Sequence, residues 1–166
     1  MTKIAREIQL ETSSQVLDAI TFLSGVQRDI LDLFNHYAGS HAGPSAEKYA
    51  IAKNICNLLM ANMQAEEEIF HPAVKRAVKE SSGVSAAVME HSILKYLIAE
   101  IASLDVDSSV YDIKVNVLGE QVKEHFAREQ IKLFPKVLAS KKLDLWVLGG
   151  QLAQRMQELK LHSFSS

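Results

Sequence analysis

The sequence predicts an all-α protein that folds as an up-down-up-down four-helix bundle with a short C-terminal fifth helix. Apolar residues recur at intervals of three and four along most of the 166-residue chain, as they do on one face of a helix. No stretch alternates apolar and polar residues as a half-buried strand would. The 3 prolines and 7 glycines are few, and several of them separate the periodic segments. We expect a single domain over residues 1–166, with the bundle at about 14–140 and a C-terminal amphipathic segment at about 143–161.

The first two helices fill the first half of the chain. Helix one is predicted at about residues 14–37, before a loop that contains glycine and proline. Helix two is predicted at about 45–79, with Ser45 as its cap and a kink or the end of its regular part at Pro72. The apolar seams of these two helices contain Val16, Ile20, Leu23, Ile30, Phe34, Tyr37, Ile51, Ile55 and Leu59.

The second half has the same organisation after a connection at residues 81–83. Helix three is predicted at about 84–103. Helix four, capped by Asp107 or Ser108, reaches about residue 140. A fifth helix packed on the bundle fits the last segment better than an arm that joins two copies. The seams contain Val84, Val88, Leu94, Ile98, Ile101, Tyr111, Leu118, Val122 and Leu133, followed by Leu145, Leu148, Leu152, Met156 and Leu159.

Charge and cysteine content exclude several classes of function. The net charge of −2 and the pI near 6.3 give no general attraction for nucleic acid. No apolar run is long enough to span a membrane, and the N-terminus lacks the apolar core of a secretory signal. The single cysteine, Cys56, lies in an apolar helical stretch and indicates a reducing compartment. We therefore expect a cytoplasmic protein without nucleic-acid or membrane partners.

Residues 62–72 and 125–135 have related sequences, offset by 63 positions. In each segment a side chain able to bind metal precedes a glutamate by four residues, and a proline follows that glutamate six residues later. The two glutamates are Glu66 and Glu129. A duplicated helical pair is the simplest explanation, and it directs one polar group of residues from each half toward a common centre. Histidine is present at the first of these positions only in the second segment, as His125.

Each predicted bundle helix interrupts its apolar seam with polar residues near its midpoint. Because neighbouring helices run antiparallel, their midpoints meet at one level. A buried carboxylate costs several kcal/mol unless it is protonated, paired with a cation or bound to metal. Two imidazoles and two carboxylates suit iron, manganese or zinc, and a divalent ion would neutralise both glutamates. The residues that should converge are Gln27, Asn62, Glu66, His91, His125 and Glu129.

With these residues in place, the chain resembles the hemerythrin-like family, the HHE cation-binding domains. The resemblance extends over nearly all of residues 19–161 and implies a hemerythrin-like bundle. It rests on the segment Gln64-Ala65-Glu66-Glu67-Glu68-Ile69-Phe70-His71-Pro72, on Met89-Glu90-His91, on His125-x3-Glu129 and on Leu133-Phe134-Pro135, with Leu23-x3-Gln27 and Leu33-Phe34-x2-Tyr37 in the first helix.

The resemblance implies a set of metal ligands. The family pattern has a histidine on the first helix, His-x3-Glu on the second, a histidine on the third and His-x3-Glu on the fourth. Two irons lie between these helices and are bridged by the two carboxylates. In this chain the bridging residues would be Glu66 and Glu129, and the iron of the second half would be held by His91 and His125.

This chain departs from the pattern at the other iron, where Gln27 and Asn62 replace the two histidines. Amide oxygens are weaker donors than imidazoles, so we expect one ion rather than two. In oxygen-carrying relatives the iron of the first two helices has the open coordination position, so we do not expect reversible O2 carriage. Iron is the first choice of metal, with zinc and manganese as alternatives and a metal-free protein as a further one.

The leading hypothesis for function is a non-catalytic metal-binding bundle for iron handling or for sensing O2, NO or redox state. The alternative is a metal-free descendant that acts as an interaction or regulatory module. An enzyme that uses one iron or manganese for oxidation has no support, because no second acid–base group or substrate pocket is readable from the sequence. A monomer and a homodimer both remain open.

The remaining ionisable residues near the pattern receive no metal role. Lys95 lies four residues after His91, and we expect it to point outward; an inward Lys95 would take the place of the metal charge. We expect the remaining histidines to be structural or exposed, with His71 at the end of the bundle, where relatives often have tyrosine. They are His36, His41, His71 and His162.

Overall fold

A computed structural model describes residues 16–79 and 82–163, and its regular elements over these residues are all helical. The α-helices are α1 (Ala19–Gly39), α2 (Ser45–Ala65), α3 (His71–Ala77), α4 (Ser82–Ser103), α5 (Tyr111–Arg128), α6 (Phe134–Ala139) and α7 (Leu145–Ser163). Two π-helical turns, π1 (Glu66–Phe70) and π2 (Glu129–Leu133), join α2 to α3 and α5 to α6. The bundle therefore consists of α1, α2–π1–α3, α4 and α5–π2–α6, as predicted. Among the described helices, none is both long and apolar enough to cross a membrane.

The two π-turns begin at the two glutamates singled out by the repeat. In each turn a backbone N–H bonds to the carbonyl five residues earlier, which belongs to Glu66 or Glu129. Each turn also runs into a proline, Pro72 or Pro135. Proline has no N–H for the regular i→i−4 bond, and its ring clashes with the carbonyl that would accept that bond. A wider turn before the proline relieves the conflict, so the helix continues where the sequence predicted a kink or an end.

The predicted apolar seams are buried, except for two exposed and two partly buried residues. Val16 is 63% exposed and precedes α1, and Val88 is 38% exposed. The seam of α4 passes through Ala87, one position earlier than predicted. Leu145 and Leu159 are partly buried at the ends of α7.

Helix α1 begins at Ala19, and residues 16–18 are not helical, so the prediction of helix from residue 14 is wrong at these residues. Ser14 itself lies outside the described residues. The start is set by Asp18. Its carboxylate accepts hydrogen bonds of 3.0 Å from the backbone N–H groups of Ile20 and Thr21. A side-chain cap of this kind satisfies donors that the first turn leaves unpaired.

Asp18 was not predicted as a cap, and the caps that were predicted are wrong. Ser45 is the first residue of α2, and its hydroxyl donates to Asp107 in the loop before α5. Helix α5 begins only at Tyr111, with no side-chain cap. The connection between the halves lies earlier in the chain than predicted, because α3 ends at Ala77 and α4 already contains Ser82 and Gly83. Residue 81 lies outside the described residues.

Helix α7 lies across α1, α2 and π1 and closes that side of the bundle. It buries Leu148, Leu152 and Met156, as the amphipathic pattern predicted. Gly149 allows the close approach: a Cβ there would lie 2.0 Å from the carbonyl oxygen of Leu17. A side chain at this position would therefore push α7 away from the start of α1.

Candidate metal centre

Four side chains from the second, third and fourth members of the bundle meet in its interior. Glu66, His91, His125 and Glu129 are all buried, with exposed fractions of 0–2%. One potential ligand atom from each lies within 4.8 Å of the others. This convergence was predicted from their shared depth in the apolar seams. A role in metal binding for each residue stays a prediction.

The facing atoms have a spacing that fits ligands of a single ion. The Nε2 atoms of His91 and His125 are 3.1 Å apart. A carboxylate oxygen of Glu66 lies 3.3 Å from Nε2 of His91, and one of Glu129 lies 3.6 Å from Nε2 of His125. Two ligand atoms that are each about 2.1 Å from one ion lie roughly 3.0 to 3.4 Å apart at octahedral or tetrahedral angles. The first two distances fall within this range and the third is slightly longer, so the donor set approaches the arrangement needed by one transition-metal ion.

Each imidazole is oriented by a carboxylate that contacts its Nδ1 atom, on the side of the ring away from the centre. Nδ1 of His91 lies 2.9 Å from Glu67, and Nδ1 of His125 lies 2.6 Å from Glu90. A hydrogen on each Nδ1 bonds to the carboxylate and leaves the Nε2 lone pair directed to the centre. Outer carboxylates of this kind commonly fix the tautomer of metal-binding histidines.

Each outer carboxylate is held in turn by a cation nearer the surface. Lys95 Nζ lies 2.8 Å from Glu67, and Arg128 Nε lies 3.0 Å from Glu90. The structure thus contains two parallel chains, each running from histidine to glutamate to a basic residue. Lys95 directs its ammonium at this outer glutamate, in keeping with the outward orientation that we expected.

Gln27 and Asn62 occupy the positions of the replaced histidines and contact the glutamates through their NH2 groups. Gln27 Nε2 donates to Glu129 Oε2 at 2.7 Å, and Asn62 Nδ2 donates to Glu66 Oε1 at 2.9 Å. Gln130 donates to the carbonyl oxygen of Gln27 at 2.8 Å, which fixes the orientation of that amide. An amide NH2 group offers no lone pair to a metal. The two amides therefore hold one oxygen of each glutamate and leave the other oxygen directed to the histidines.

The buried side-chain atoms without a hydrogen-bond partner lie at this centre. Over the described residues they are Asn62 Oδ1, Glu66 Oε2, His71 Nδ1, His71 Nε2 and Glu129 Oε1. Leaving one such atom unpaired costs about 1–3 kcal/mol, and more for a charged group. A cation bound between the free carboxylate oxygens would satisfy two of the five atoms. The unpaired atoms thus support the fit of the residues to a metal ion.

Sequence reasoning placed His71 at the end of the bundle, and the structure shows it beside the cluster. Its exposed fraction is 2%, and Nε2 lies 3.8 Å from Glu66 Oε2. The ring stacks on that of His91, with centroids 5.4 Å apart. The repeat carried a signal for this residue, because His71 corresponds to Phe134 at the 63-residue offset. A polar residue in one half of the repeat, where the other half has an apolar residue, indicates a specific function at that position.

The other three histidines lie away from the cluster. His36, His41 and His162 are exposed, in agreement with the expectation for them. His41 lies 3.8 Å from Asp112, near the C-terminal end of α1. These residues supply control positions for experiments on the centre.

The carboxylates and imidazoles interact strongly in the absence of a cation. Burial raises the pKa of Glu129 well above its ordinary value, and repulsion from Glu66 adds to this. Burial also opposes the charge of Glu66, but its attraction to the neighbouring His91 prevails and its pKa is lowered. Burial lowers the pKa of His71 to about 4, so its imidazole is neutral. A divalent cation bound between the two carboxylates would relieve their mutual repulsion.

The comparisons with known proteins agree with the fold and with a cation site. The family model described as "Hemerythrin HHE cation binding domain" matches residues 18–137. Among solved structures, the chain is similar to a hemerythrin HHE cation binding domain-containing protein from Mycobacterium kansasii, with a TM-score of 0.74 and 18% sequence identity. That alignment covers 90% of this chain and 91% of the other. No curated protein sequence matches the chain significantly.

Proposed function

Because this chain belongs to the hemerythrin HHE cation-binding domain family, we propose that it is an iron-binding bundle that holds one ion rather than two. The ligands are Glu66, His91, His125 and Glu129. The observation that carries the proposal is the pair of imidazoles, whose Nε2 atoms face each other at 3.1 Å while Glu67 and Glu90 hold their Nδ1 atoms. A hydrogen-bonded core of ordinary composition has no need of two carboxylates aimed at the same point as two imidazoles.

The amides of the first half support a single ion. Gln27 and Asn62 each engage the carboxylate oxygen that a second ion on their side would need. Gln130 engages the carbonyl of Gln27, so that oxygen is also occupied. The donors left facing the centre are two nitrogens and two carboxylate oxygens. Together they neutralise one divalent cation.

The arrangement suits binding and sensing better than catalysis. Iron in such a site would supply a response to a small molecule such as O2 or NO, or a change of oxidation state, without carriage of O2. The protein residues hold the ion, keep the histidines in one tautomer and exclude bulk water through burial. The carboxylates and imidazoles of the cluster are all assigned as ligands. We therefore propose iron handling or sensing of O2, NO or redox state, without turnover of a substrate.

Metal analysis of the purified protein tests this function. After loading with Fe(II) under anaerobic conditions and removal of excess metal, we expect about one iron per chain. The variant His91→Ala/His125→Ala should retain almost none. A matched control, His36→Ala/His41→Ala, removes two histidines outside the cluster and should retain the wild-type content. Equal, negligible iron in all three proteins would reject the proposal.

The same hydrogen bonds give specific support to a second candidate, a metal-free interaction or regulatory module. Gln27 donates to Glu129 and Asn62 donates to Glu66, and a proton on one of the two Nε2 atoms would let His91 and His125 bond to each other without an ion. The unpaired oxygens of the two glutamates favour the metal-binding candidate over this one. The response of the melting temperature to a chelator distinguishes the two, because only a metal bound to the native protein stabilises it.

A further inference from the structure

His71 is a buried polar side chain with no hydrogen-bond partner at either ring nitrogen. Only 2% of its surface is exposed, so bulk water does not satisfy these atoms. A phenylalanine would fill similar space without unpaired nitrogens, and the repeat has one, Phe134, at the corresponding position. An imidazole in such surroundings indicates that one of its nitrogens forms a hydrogen bond to a bound ligand.

The π-turn determines where this imidazole lies. In a regular α-helix, residues five apart are about 140° apart around the axis, so Glu66 and His71 would face different sides. The π1 turn changes this, because the His71 N–H bonds to the Glu66 carbonyl and the wider turn returns the chain to the same side. Nε2 of His71 consequently lies 3.8 Å from the free oxygen of Glu66.

The ring of His71 is held beside the cluster but is not part of it. Its plane is within 27° of that of His91 at a centroid distance of 5.4 Å, so stacking fixes its orientation. It does not belong to the group of four residues whose ligand atoms lie within 4.8 Å of one another. The 3.8 Å to Glu66 also exceeds a hydrogen bond. This placement suits a group that contacts something carried by the ion and not the ion itself.

We propose that His71 donates a hydrogen bond to a small exogenous ligand, a water molecule or a diatomic such as NO, bound at the metal centre. His71 is then a positioning residue that selects ligands able to accept a hydrogen bond. The inference rests on the proposed function, since it requires the ion held by His91 and His125. It adds a fifth residue, supplied by the π1 turn, to the four ligands.

NO is the probe for the test. Fe(II)-loaded protein is exposed to NO, and the N–O stretching frequency and the NO dissociation rate are measured for the wild type, His71→Phe and His71→Gln. We expect wild-type iron content in all three proteins. In His71→Phe the N–O frequency should shift and dissociation should be about fivefold faster, as for the loss of one hydrogen bond. His71→Gln, which keeps a donor, should restore most of the wild-type behaviour.

The outcomes separate this inference from the proposed function. Unchanged N–O frequency and dissociation rate in His71→Phe would overturn the role of His71 while the iron site stands. Loss of iron from His71→Phe would also overturn it, by showing that His71 is itself a ligand. A wild-type protein that binds no iron would remove the proposed function and this inference together. If His71→Phe does not fold, as judged by circular dichroism, His71→Leu takes its place in the same comparison.

Discussion

At the scale of single residues, the chemistry of the centre depends on which atom of each side chain faces inward. Glu67 and Glu90 each accept from one histidine, so both Nε2 lone pairs face the middle of the bundle. Gln27 donates to Glu129 because Gln130 already engages its carbonyl. A sequence pattern identifies such positions but not the orientation of an amide or a ring.

The outer carboxylates should determine metal affinity without contacting the ion. Replacing Glu90 with Gln removes the charge that holds His125 Nδ1 and makes the imidazole a weaker base. We expect the affinity for Fe(II) to fall about tenfold to a hundredfold, as is usual for such outer residues. Competition with a chromophoric chelator measures the change. Glu120→Gln, on the exposed face of α5 and paired with Lys123, is the control and should bind like the wild type. Equal affinity in both variants would refute the assigned role of Glu90.

Restoring histidines in the first half should create a second metal position. In Gln27→His/Asn62→His the amide donors no longer engage the glutamates, and two imidazoles become available on their side. We expect the iron content to rise from about one to about two per chain, measured by elemental analysis against protein concentration. The control Asn35→His/Gln154→His adds two histidines at exposed amide positions and should still bind about one iron per chain. A double variant that still binds a single iron would show that the amides do not limit the stoichiometry.

At the scale of elements, the two π-turns explain which parts of the site the sequence could predict. Regular helical spacing holds up to Glu66 and Glu129, so the convergence of these residues with His91 and His125 followed from the apolar seams. Beyond each glutamate the π-turn changes the phase of the helix. The position of His71 was therefore predicted incorrectly. Side-chain caps failed as predictions for a different reason: Ser45 found a partner in a distant loop, which local sequence does not reveal.

The packing of α7 depends on Gly149 and not on Gly150. An alanine at residue 149 would place its Cβ against Leu17, 2.0 Å from the carbonyl oxygen, whereas nothing lies within 4 Å of a Cβ at residue 150. We expect Gly149→Ala to reduce the free energy of unfolding by about 1–3 kcal/mol. Gly150→Ala should raise it by up to about 1 kcal/mol through helix propensity. Urea denaturation of both variants measures the difference, and equal stability of the two would contradict the observed docking of α7.

At the scale of the whole molecule, the candidate metal centre joins the second, third and fourth members of the bundle, and Gln27 links the first member to it. An ion there would bind the native state and not the unfolded chain, so it should stabilise the entire fold. Fold class and helix number were predictable from periodicity because every seam contributes to one core. That periodicity does not encode which metal the site would bind, or whether the protein would respond to O2, NO or redox state.

Removal of metal should lower the melting temperature. With free Fe(II) at about 1,000 times the dissociation constant, the ion contributes about 4 kcal/mol. For a chain of this size that corresponds to a rise of roughly 10 °C, which excess chelator should reverse. His91→Ala/His125→Ala should melt at one temperature with or without iron. An equal response to chelator in the wild type and this variant would favour the metal-free module.

The most direct measurement is anomalous scattering at the iron absorption edge from a crystal of the iron-loaded protein. We predict one peak inside the bundle, within bonding distance of Glu66, His91, His125 and Glu129. Two peaks bridged by the glutamates would contradict the single-ion site. The absence of any peak at these residues would contradict the proposed metal centre itself.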